Sequence, residues 1–329
     1  IIVTTACSSL PTEYNKKTSY AVTGTSQTTL GKKATKILGS KTDQSVVYLI
    51  NEGTDAFFAR MLLLNLAERS IDVQYFIWHA DLIGKLLFNE MIVAADRGVR
   101  VRILLDDISI DEDIETILYA MDQHNNIEVH LFNPFANRGF HFADYVTDGS
   151  RINRRMHNKS FTVDSQVTVV GGRNIGNEYF SADEQNNFQD IDVMAVGSVV
   201  ADVAKQFDIY WNSEVVYPVK AFEHNQATVS DLNRVKKELS EFKQAQLNSK
   251  YALDIQDSEM YQLWKNASSE GRSEKTFSGN VNVIYDDPKK SLGKSEKEII
   301  YLKSLMEPYL EKVKNSFELV SPYFVPGDE

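Results

Sequence analysis

The stretch RRMHNKSFTVDSQVTVVGGRN, residues 154–174, combines a fold signal with a chemical one. Its inner run FTVDSQVTVVGG predicts two short strands around a turn at residues 164–166. Because alternate side chains of an extended backbone share a face, His157 and Lys159 should point to the same side. An imidazole beside an ammonium group is out of place in an apolar core but suits a phosphate.

The other residues of this stretch fit phosphate chemistry as well. A lysine supplies a point charge for phosphate oxygens, and a neutral histidine can attack phosphorus or carry protons. Asp164 can accept a hydrogen bond from a histidine ring nitrogen and fix its tautomer. Gly171 and Gly172 let backbone and ligand approach closely, and Asn174 offers a neutral amide at the same rim.

Taken singly, these residues have ordinary structural explanations. A lone histidine in a strand is usually structural, a nearby lysine is usually solvated, and a double glycine usually marks a turn or bulge. The joint pattern H-x-K-x4-D-x6-G-G-x-N sets six residues at defined spacings. Average residue usage would produce it in roughly one chain of this length in 10⁵. The pattern therefore indicates a functional site.

The local charge also favours the binding of an anion. Between residues 138 and 173 there are six arginines and lysines and three aspartates, a local charge of +3 in a chain of net charge −11. Arg154 and Arg155 are candidates for additional phosphate contacts. The negative total argues against nonspecific binding of nucleic acid over the whole surface.

The chain outside this stretch reads as α/β. The segments SIDVQYFIWHAD, VRVRILLDD and IEVHLFNP predict strands, and the segments between them predict helices, a rhythm typical of a largely parallel sheet. Residues 136–155 are predicted to form a polar loop, and a charged helix is predicted at about 231–246 with a solvated face. The predicted division is an irregular segment 1–45, a first domain 46–215, a connecting insertion 216–280 and the beginning of a second domain 281–329. In the last part, VNVIYDD (281–287) and FELVSPYFVPG (317–327) predict strands.

The H-x-K-x4-D-x6-G-G-x-N motif resembles that of the phospholipase D superfamily, and it matches without a gap. The segments SIDVQYFIW, RGVRVRILLDD, LFNPF, FQDIDVMAVG and SPYFVPG resemble bacterial cardiolipin synthases, particularly their third (C) type. The resemblance covers about residues 46–215 and the last stretch. It implies a phospholipase D-like αβα sandwich with a mainly parallel mixed sheet, whose first half is complete and whose second half is only begun.

The resemblance also implies a mechanism. Two such motifs meet at a pseudo-twofold axis, where one histidine becomes a phosphohistidine and the other serves as acid and base, without a metal or other cofactor. Carried over, His157 is the nucleophile or the acid/base and Lys159 the phosphate clamp. Asp164 orients a histidine across the pseudo-twofold axis, and Asn174 lines the phosphate site with Gly171, Gly172 and Arg155.

This sequence departs from the family pattern at one point, because it contains a single H-x-K. We expect the second motif to belong to a longer chain, and the present one to be inactive unless two copies pair their half-sites. The implied reaction is phosphatidyl transfer that makes cardiolipin from phosphatidylglycerol and a second phospholipid, such as phosphatidylethanolamine, or hydrolysis with water as acceptor. The implied partners are phospholipid and a membrane surface, with no nucleic acid.

Four further residues are weaker site candidates. Asp190 and Asp192 flank a strand core and can support the motif by hydrogen bonds, although acids at strand ends are common. Trp78 and His79 follow a strand at its C-terminal end, where the sites of α/β proteins often lie.

Two other functions remain open from the sequence. The first is a nuclease of the same superfamily, in which one motif per chain and a homodimer suffice. The second is a non-catalytic module that binds an anion or a lipid. The acidic net charge and the predicted start of a second half count against the nuclease.

The N-terminal TTACSS resembles a bacterial lipobox, with Thr4 where that pattern prefers Leu. Cys7 is therefore a candidate for lipidation, and we expect a protein of the bacterial cell envelope that associates with membrane. As the chain's one cysteine, Cys7 cannot form an intramolecular disulfide or a cysteine-based zinc site.

Overall fold

The computed structural model describes residues 9–41, 43–138, 141–222, 227–266, 275–292 and 302–316, with the side chains of 141–143 left aside. These residues form a nine-stranded sheet in the order β8-β4-β3-β2-β5-β6-β7-β1-β9. The strands are β1 Ser45–Ile50, β2 Ser70–Tyr75, β3 Arg100–Asp106, β4 Ile127–Phe132, β5 Ser160–Val163, β6 Val167–Gly171, β7 Asp192–Gly197, β8 Val216–Pro218 and β9 Thr276–Gly279.

The mixed α/β sheet is confirmed, but the prediction that it is mainly parallel is wrong. Among the nine strands of the described residues, only β2, β3 and β4 pair in parallel. The remaining six pairings are antiparallel. The β-α-β rhythm holds only up to residue 132, because the β5–β6 hairpin and the return of β7 beside β1 then add strands in the opposite sense.

Helices cover both faces of the sheet. They are α1 Thr29–Leu38, α2 Gly53–Leu66, α3 Leu82–Asp96, α4 Glu112–Met121, α5 His141–Ile152, α6 Ser198–Trp211, α7 Val229–Gln246, α8 Lys250–Asp257, α9 Glu259–Lys265 and α10 Leu302–Leu310. Residues of α1 to α4 and α7 share one core with alternate residues of the strands. The opposite strand residues, such as Leu104 and Phe132, pack against Phe207 and Trp211 of α6. This gives the predicted αβα layers.

Three segments differ from their predicted structure. The N-terminal segment contains α1, which is capped by the Thr28 side chain. The predicted loop at 136–155 contains α5, which is interrupted at Asp148 by a non-helical backbone (φ −146°, ψ 35°). Residues 281–287, predicted as a strand, have no strand structure. Both helices were predicted as irregular segments because their sequences are polar. Short amphipathic helices on a surface have few apolar residues.

The predicted charged helix exists as α7 and is only partly solvated. Leu232, Val235 and Leu239 of its inner face are buried. Its outer charges also reach the body of the protein, since Lys243 pairs with buried Glu90 at 2.7 Å. The division into four parts remains a prediction, and the predicted strand at 317–327 lies outside the described residues.

The sheet brings the motif to the C-terminal ends of its parallel strands. Strand β5 runs antiparallel to β2, with Ser160 opposite Gln74 and Val163 opposite Ile71. The residues before β5 therefore lie beyond the end of β2, and the turn after β5 lies at the beginning of β2. This register places His157 and Lys159 at one end of β5 and Asp164 at the other.

Candidate active site

His157 and Lys159 lie on one aromatic side chain, in the extended segment just before β5. The imidazole of His157 packs on the ring of Phe76, with 4.0 Å between the ring centroids. The Lys159 ammonium lies 5.5 Å from the centroid of the same ring and donates a hydrogen bond to the His157 carbonyl at 2.7 Å. The predicted pair is thus brought together, and Phe76, which the sequence analysis did not select, supports both members.

The surroundings lower the pKa of both groups. Partial burial is the largest cause for His157, and the charges of Lys159 and Lys290 add to it, while Asp286 opposes them. The imidazole is therefore neutral at neutral pH, the form that can act as a nucleophile. Burial lowers the pKa of Lys159 to about 8, against the attraction of Asp190, Asp106 and Asp192.

A buried ion pair holds the segment that carries His157. The Arg155 guanidinium donates to Asp106 at 3.1 Å and to the carbonyl of Asn133 at 3.0 Å. Asp106 also accepts the backbone N–H of Met156 at 2.8 Å. Burial raises the pKa of Asp106 to about 7, although Arg155 and two backbone amides favour its charged form. Sequence reasoning did not select Asp106 as a site residue, because acidic residues are common at the ends of strands.

Arg155 is 5% exposed. Its Nε and Nη2 have no partner within the part of the chain that the structure describes. The observed contacts clamp the His157 segment to the end of β3, and the phosphate contact predicted for Arg155 remains a prediction.

Asp164 has a structural role that the sequence did not reveal. It is fully buried, and its carboxylate accepts the backbone N–H groups of Glu68, Arg69 and Ser70 at 2.7–3.2 Å. His157 lies at the other end of β5, and the orientation of a histidine across the pseudo-twofold axis remains a prediction. Asp164 instead ties the β5–β6 turn, where its own φ is +52°, to the start of β2.

The double glycine makes room for carboxylates. A Cβ on Gly171 would lie 2.1 Å from the Oδ1 atom of Asp192, and one on Gly172 would lie 2.2 Å from the Oδ1 atom of Asp190. Asp192 is fully buried and pairs with Arg60 at 2.9 Å. The predicted close approach exists, but its observed partners are Asp190 and Asp192. These acids thus lie beside the motif, while their support of it by hydrogen bonds remains a prediction.

Asn174 fastens the loop that carries Phe76. Its Oδ1 accepts the N–H of Ile77 at 3.1 Å, and its Nδ2 donates to the Tyr179 hydroxyl at 3.1 Å. The residue is 4% exposed. These contacts place it close to the candidate site, while direct contact with a phosphate remains a prediction.

The two aromatic candidates have different positions. Trp78 is fully buried and stacks on Phe88 with 4.6 Å between the centroids, so the prediction of a site role for Trp78 is wrong. His79 is 43% exposed and its Nδ1 lies 3.3 Å from Glu178. Ligand atoms of His79, Asp81 and Glu178 lie within 4.8 Å of one another, a spacing that could hold a metal ion. Both Asp81 oxygens already accept backbone N–H groups.

Known proteins resemble the chain over the range that contains this site. Residues 61–211 match a family model described as "Cardiolipin synthase, PLD-like domain". This range contains the whole motif and both ends of β5. Over this range the chain is therefore similar to the phospholipase D-like domains that this model describes.

Among individual proteins, the chain is 39% identical over 284 residues to cardiolipin synthase C of Escherichia coli K12. The match covers 86% of this chain and 58% of that protein, so the chain spans little more than half the length of this relative. A protein of Helicobacter pylori 26695 without an assigned function is 32% identical, over 99% of this chain and 62% of its own. NucT from Helicobacter pylori is a solved structure with 19% identity and a TM-score of 0.40, covering 53% of this chain and 99% of its own.

Across the described residues, no helix combines the length and the apolar character that a membrane span needs. Cys7, the candidate lipidation site, lies outside these residues.

Proposed function

We propose that this chain supplies one arm of the active site of a phosphatidyltransferase that acts on membrane phospholipids. The observation that supports this most directly is a half-exposed, neutral imidazole packed beside an ammonium group whose pKa is lowered to about 8. A neutral imidazole can attack phosphorus, while Lys159 neutralises charge on the phosphate oxygens. The similarity to cardiolipin synthase C supports a phospholipid as the substrate.

In the proposed reaction, a ring nitrogen of His157 forms a bond to phosphorus, and the bond between phosphorus and the leaving glycerol oxygen breaks. The leaving oxygen takes a proton from an acid, the role that the family resemblance gives to a second motif. An acceptor hydroxyl then attacks phosphorus, loses its proton to the same group as base, and releases His157. With phosphatidylglycerol as acceptor the product is cardiolipin, and with water it is phosphatidic acid.

The proposed partners are phosphatidylglycerol, phosphatidylethanolamine as an alternative donor, and the surface of a bacterial membrane. The proposed location is the cell envelope, with a lipid on Cys7 as one means of attachment. The second motif would come from the rest of a longer chain or from another copy. The matched relative is bacterial and is a cardiolipin synthase, which supports both the substrate and the location.

The test is an assay of the whole protein with vesicles of phosphatidylglycerol, with and without phosphatidylethanolamine, in which lipid products are measured by mass spectrometry. Cardiolipin should form, and His157→Ala should reduce the rate by at least about 10³-fold because the nucleophile is lost. His124→Gln is the matched control, since His124 pairs with Asp96 just before β4 and should leave the rate within about twofold.

The proposal would be overturned by full activity of His157→Ala. DNA cleavage without any lipid product would favour the nuclease instead. Label from radioactive lipid phosphorus that becomes bound to His157, and that is stable to base but labile to acid, would identify the phosphohistidine.

A further inference from the structure

The segment Tyr285–Leu292 lies against the arm that carries His157, although it is more than 100 residues away in sequence. The Ser291 hydroxyl donates to the carbonyl of Arg154 at 3.1 Å. The Tyr210 hydroxyl of α6 donates to the carbonyl of Asp286 at 2.7 Å. One end of the segment is therefore bonded to the residue three places before His157, and the other to the helix below it.

Apolar packing reinforces this attachment. Tyr285 and Leu292 pack against the buried cluster that contains Met156, the residue before His157. Ser291 is 1% exposed although it is polar. Hydrogen bonds and apolar packing thus hold this segment in place beside the candidate site.

This segment carries one cation and one anion whose charges act on the imidazole of His157. The Lys290 ammonium and the Asp286 carboxylate form an ion pair at 2.5 Å, and their side chains are 17% and 23% exposed. Asp286 also accepts the N–H of Leu302 at 2.7 Å, which fixes the carboxylate. Both charges act on the imidazole of His157: Lys290 lowers its pKa and Asp286 raises it.

We propose that Lys290 is a second phosphate-binding cation of this site, held in position by Asp286 when no anion is bound. The inference rests on the proposed function, because it assumes that a phosphodiester occupies the site beside His157. Lys159 and Lys290 then approach the phosphate from different segments. Two cations bind a phosphate with a net negative charge more tightly than one, and they stabilise the additional charge that develops during transfer.

The ion pair between Lys290 and Asp286 should affect the affinity of the site for an anion. An incoming phosphate must compete with Asp286 for Lys290, and the carboxylate repels it. Removing the Lys290 charge should therefore weaken anion binding, and removing the Asp286 charge should strengthen it. A role of the pair in folding alone would not produce opposite effects on an anion.

The experiment titrates inorganic phosphate into the 329-residue chain with labelled histidine and follows the His157 ring by NMR. Lys290→Gln should weaken phosphate binding about fivefold and raise the pKa of His157. Asp286→Asn should strengthen binding about threefold and lower that pKa. Lys289→Gln is the matched control, because Lys289 is the exposed neighbour with the same charge, and it should change binding by less than about 1.5-fold.

Two further variants separate the possible failures. Lys290→Arg keeps the charge and should bind phosphate within about twofold of the unchanged chain. If it binds as weakly as Lys290→Gln, Lys290 has a packing role and the inference is overturned. If Lys159→Gln weakens binding but Lys290→Gln behaves like Lys289→Gln, the inference fails and the proposed function stands. If Lys159→Gln also leaves phosphate binding unchanged, the proposed function fails with it.

Discussion

The two ends of β5 belong to one motif but are built in opposite ways. At one end, His157 is exposed and Lys159 is half-buried, and both rest on Phe76 with pKa values lowered by their surroundings. At the other end, Asp164 is fully buried and three backbone N–H groups occupy its carboxylate. At the first end, the reactive side chains make few hydrogen bonds within the protein and can be reached by a ligand. At the second end, the Asp164 carboxylate is fully hydrogen-bonded and a ligand cannot reach it.

The distance between the ends explains this division. Lys159 and Asp164 are five residues apart, and an extended strand advances about 3.3 Å per residue, so roughly 16 Å separates them. One ligand the size of a phosphate cannot touch both. The motif therefore combines a chemical element with an architectural one, and the architectural element sets the register of β5 against β2.

The largest effect should come from the architectural end. Asp164→Ala should lower the free energy of unfolding by about 3–5 kcal/mol, because the N–H groups of Glu68, Arg69 and Ser70 lose their acceptor in a buried place. Urea unfolding measures this. Ser165→Ala in the same turn should cost less than about 1 kcal/mol, since no partner of its buried hydroxyl lies among the described residues. A small loss for Asp164→Ala, similar to that of Ser165→Ala, would contradict the division.

The next effect tests whether the reactive end also depends on tight packing. Gly171→Ala should cost about 2–4 kcal/mol of unfolding free energy, because its Cβ would collide with Asp192 and disturb the buried pair with Arg60. Gly149→Ala is the matched control, since a Cβ there meets nothing within 4 Å, and it should be neutral or stabilising by up to about 1 kcal/mol. Equal effects of the two changes in thermal or urea unfolding would show that the glycine is not required by this contact.

The smallest effect concerns the pH dependence at the reactive end. Lys159 has a pKa of about 8, so it loses its positive charge as the pH rises through that value. Sulfate, which does not titrate in this range, should bind about tenfold more weakly at pH 9 than at pH 7, as measured by calorimetry. Lys159→Arg should remove the decrease. Lys16 also has a pKa lowered to about 8 but binds the carbonyls of Ser213 and Val216, so Lys16→Arg should leave the decrease in place.

A decrease that persists in Lys159→Arg would assign the titration to another group. A decrease that begins only near pH 10 would show that the Lys159 ammonium is as well solvated as an ordinary lysine, and the contrast between the two ends of β5 would then be weaker.

Sequence reasoning succeeded where the signal was local. The two strands around residues 164–166, the helices α3 and α4, and the pairing of His157 with Lys159 all follow from spacing along the chain. It failed where the partner was distant. The amides that bind Asp164 are about 95 residues away, and the Lys290 that acts on His157 is 133 residues away. Trp78 was misjudged because the position after a strand does not reveal whether a side chain turns inward.

The sequence by itself indicated the resemblance to phospholipase D-like proteins, the reactive pair and most helices and strands, because residue identity, periodicity and spacing are properties of neighbouring positions. Only the tertiary structure decided that six of eight strand pairings are antiparallel. It also decided that the double glycine faces two aspartates, and that the segment with Lys290 packs against the residues just before His157. Burial, hydrogen-bond partners and pKa values depend on atoms that folding brings together from distant parts of the chain, so no local pattern can specify them.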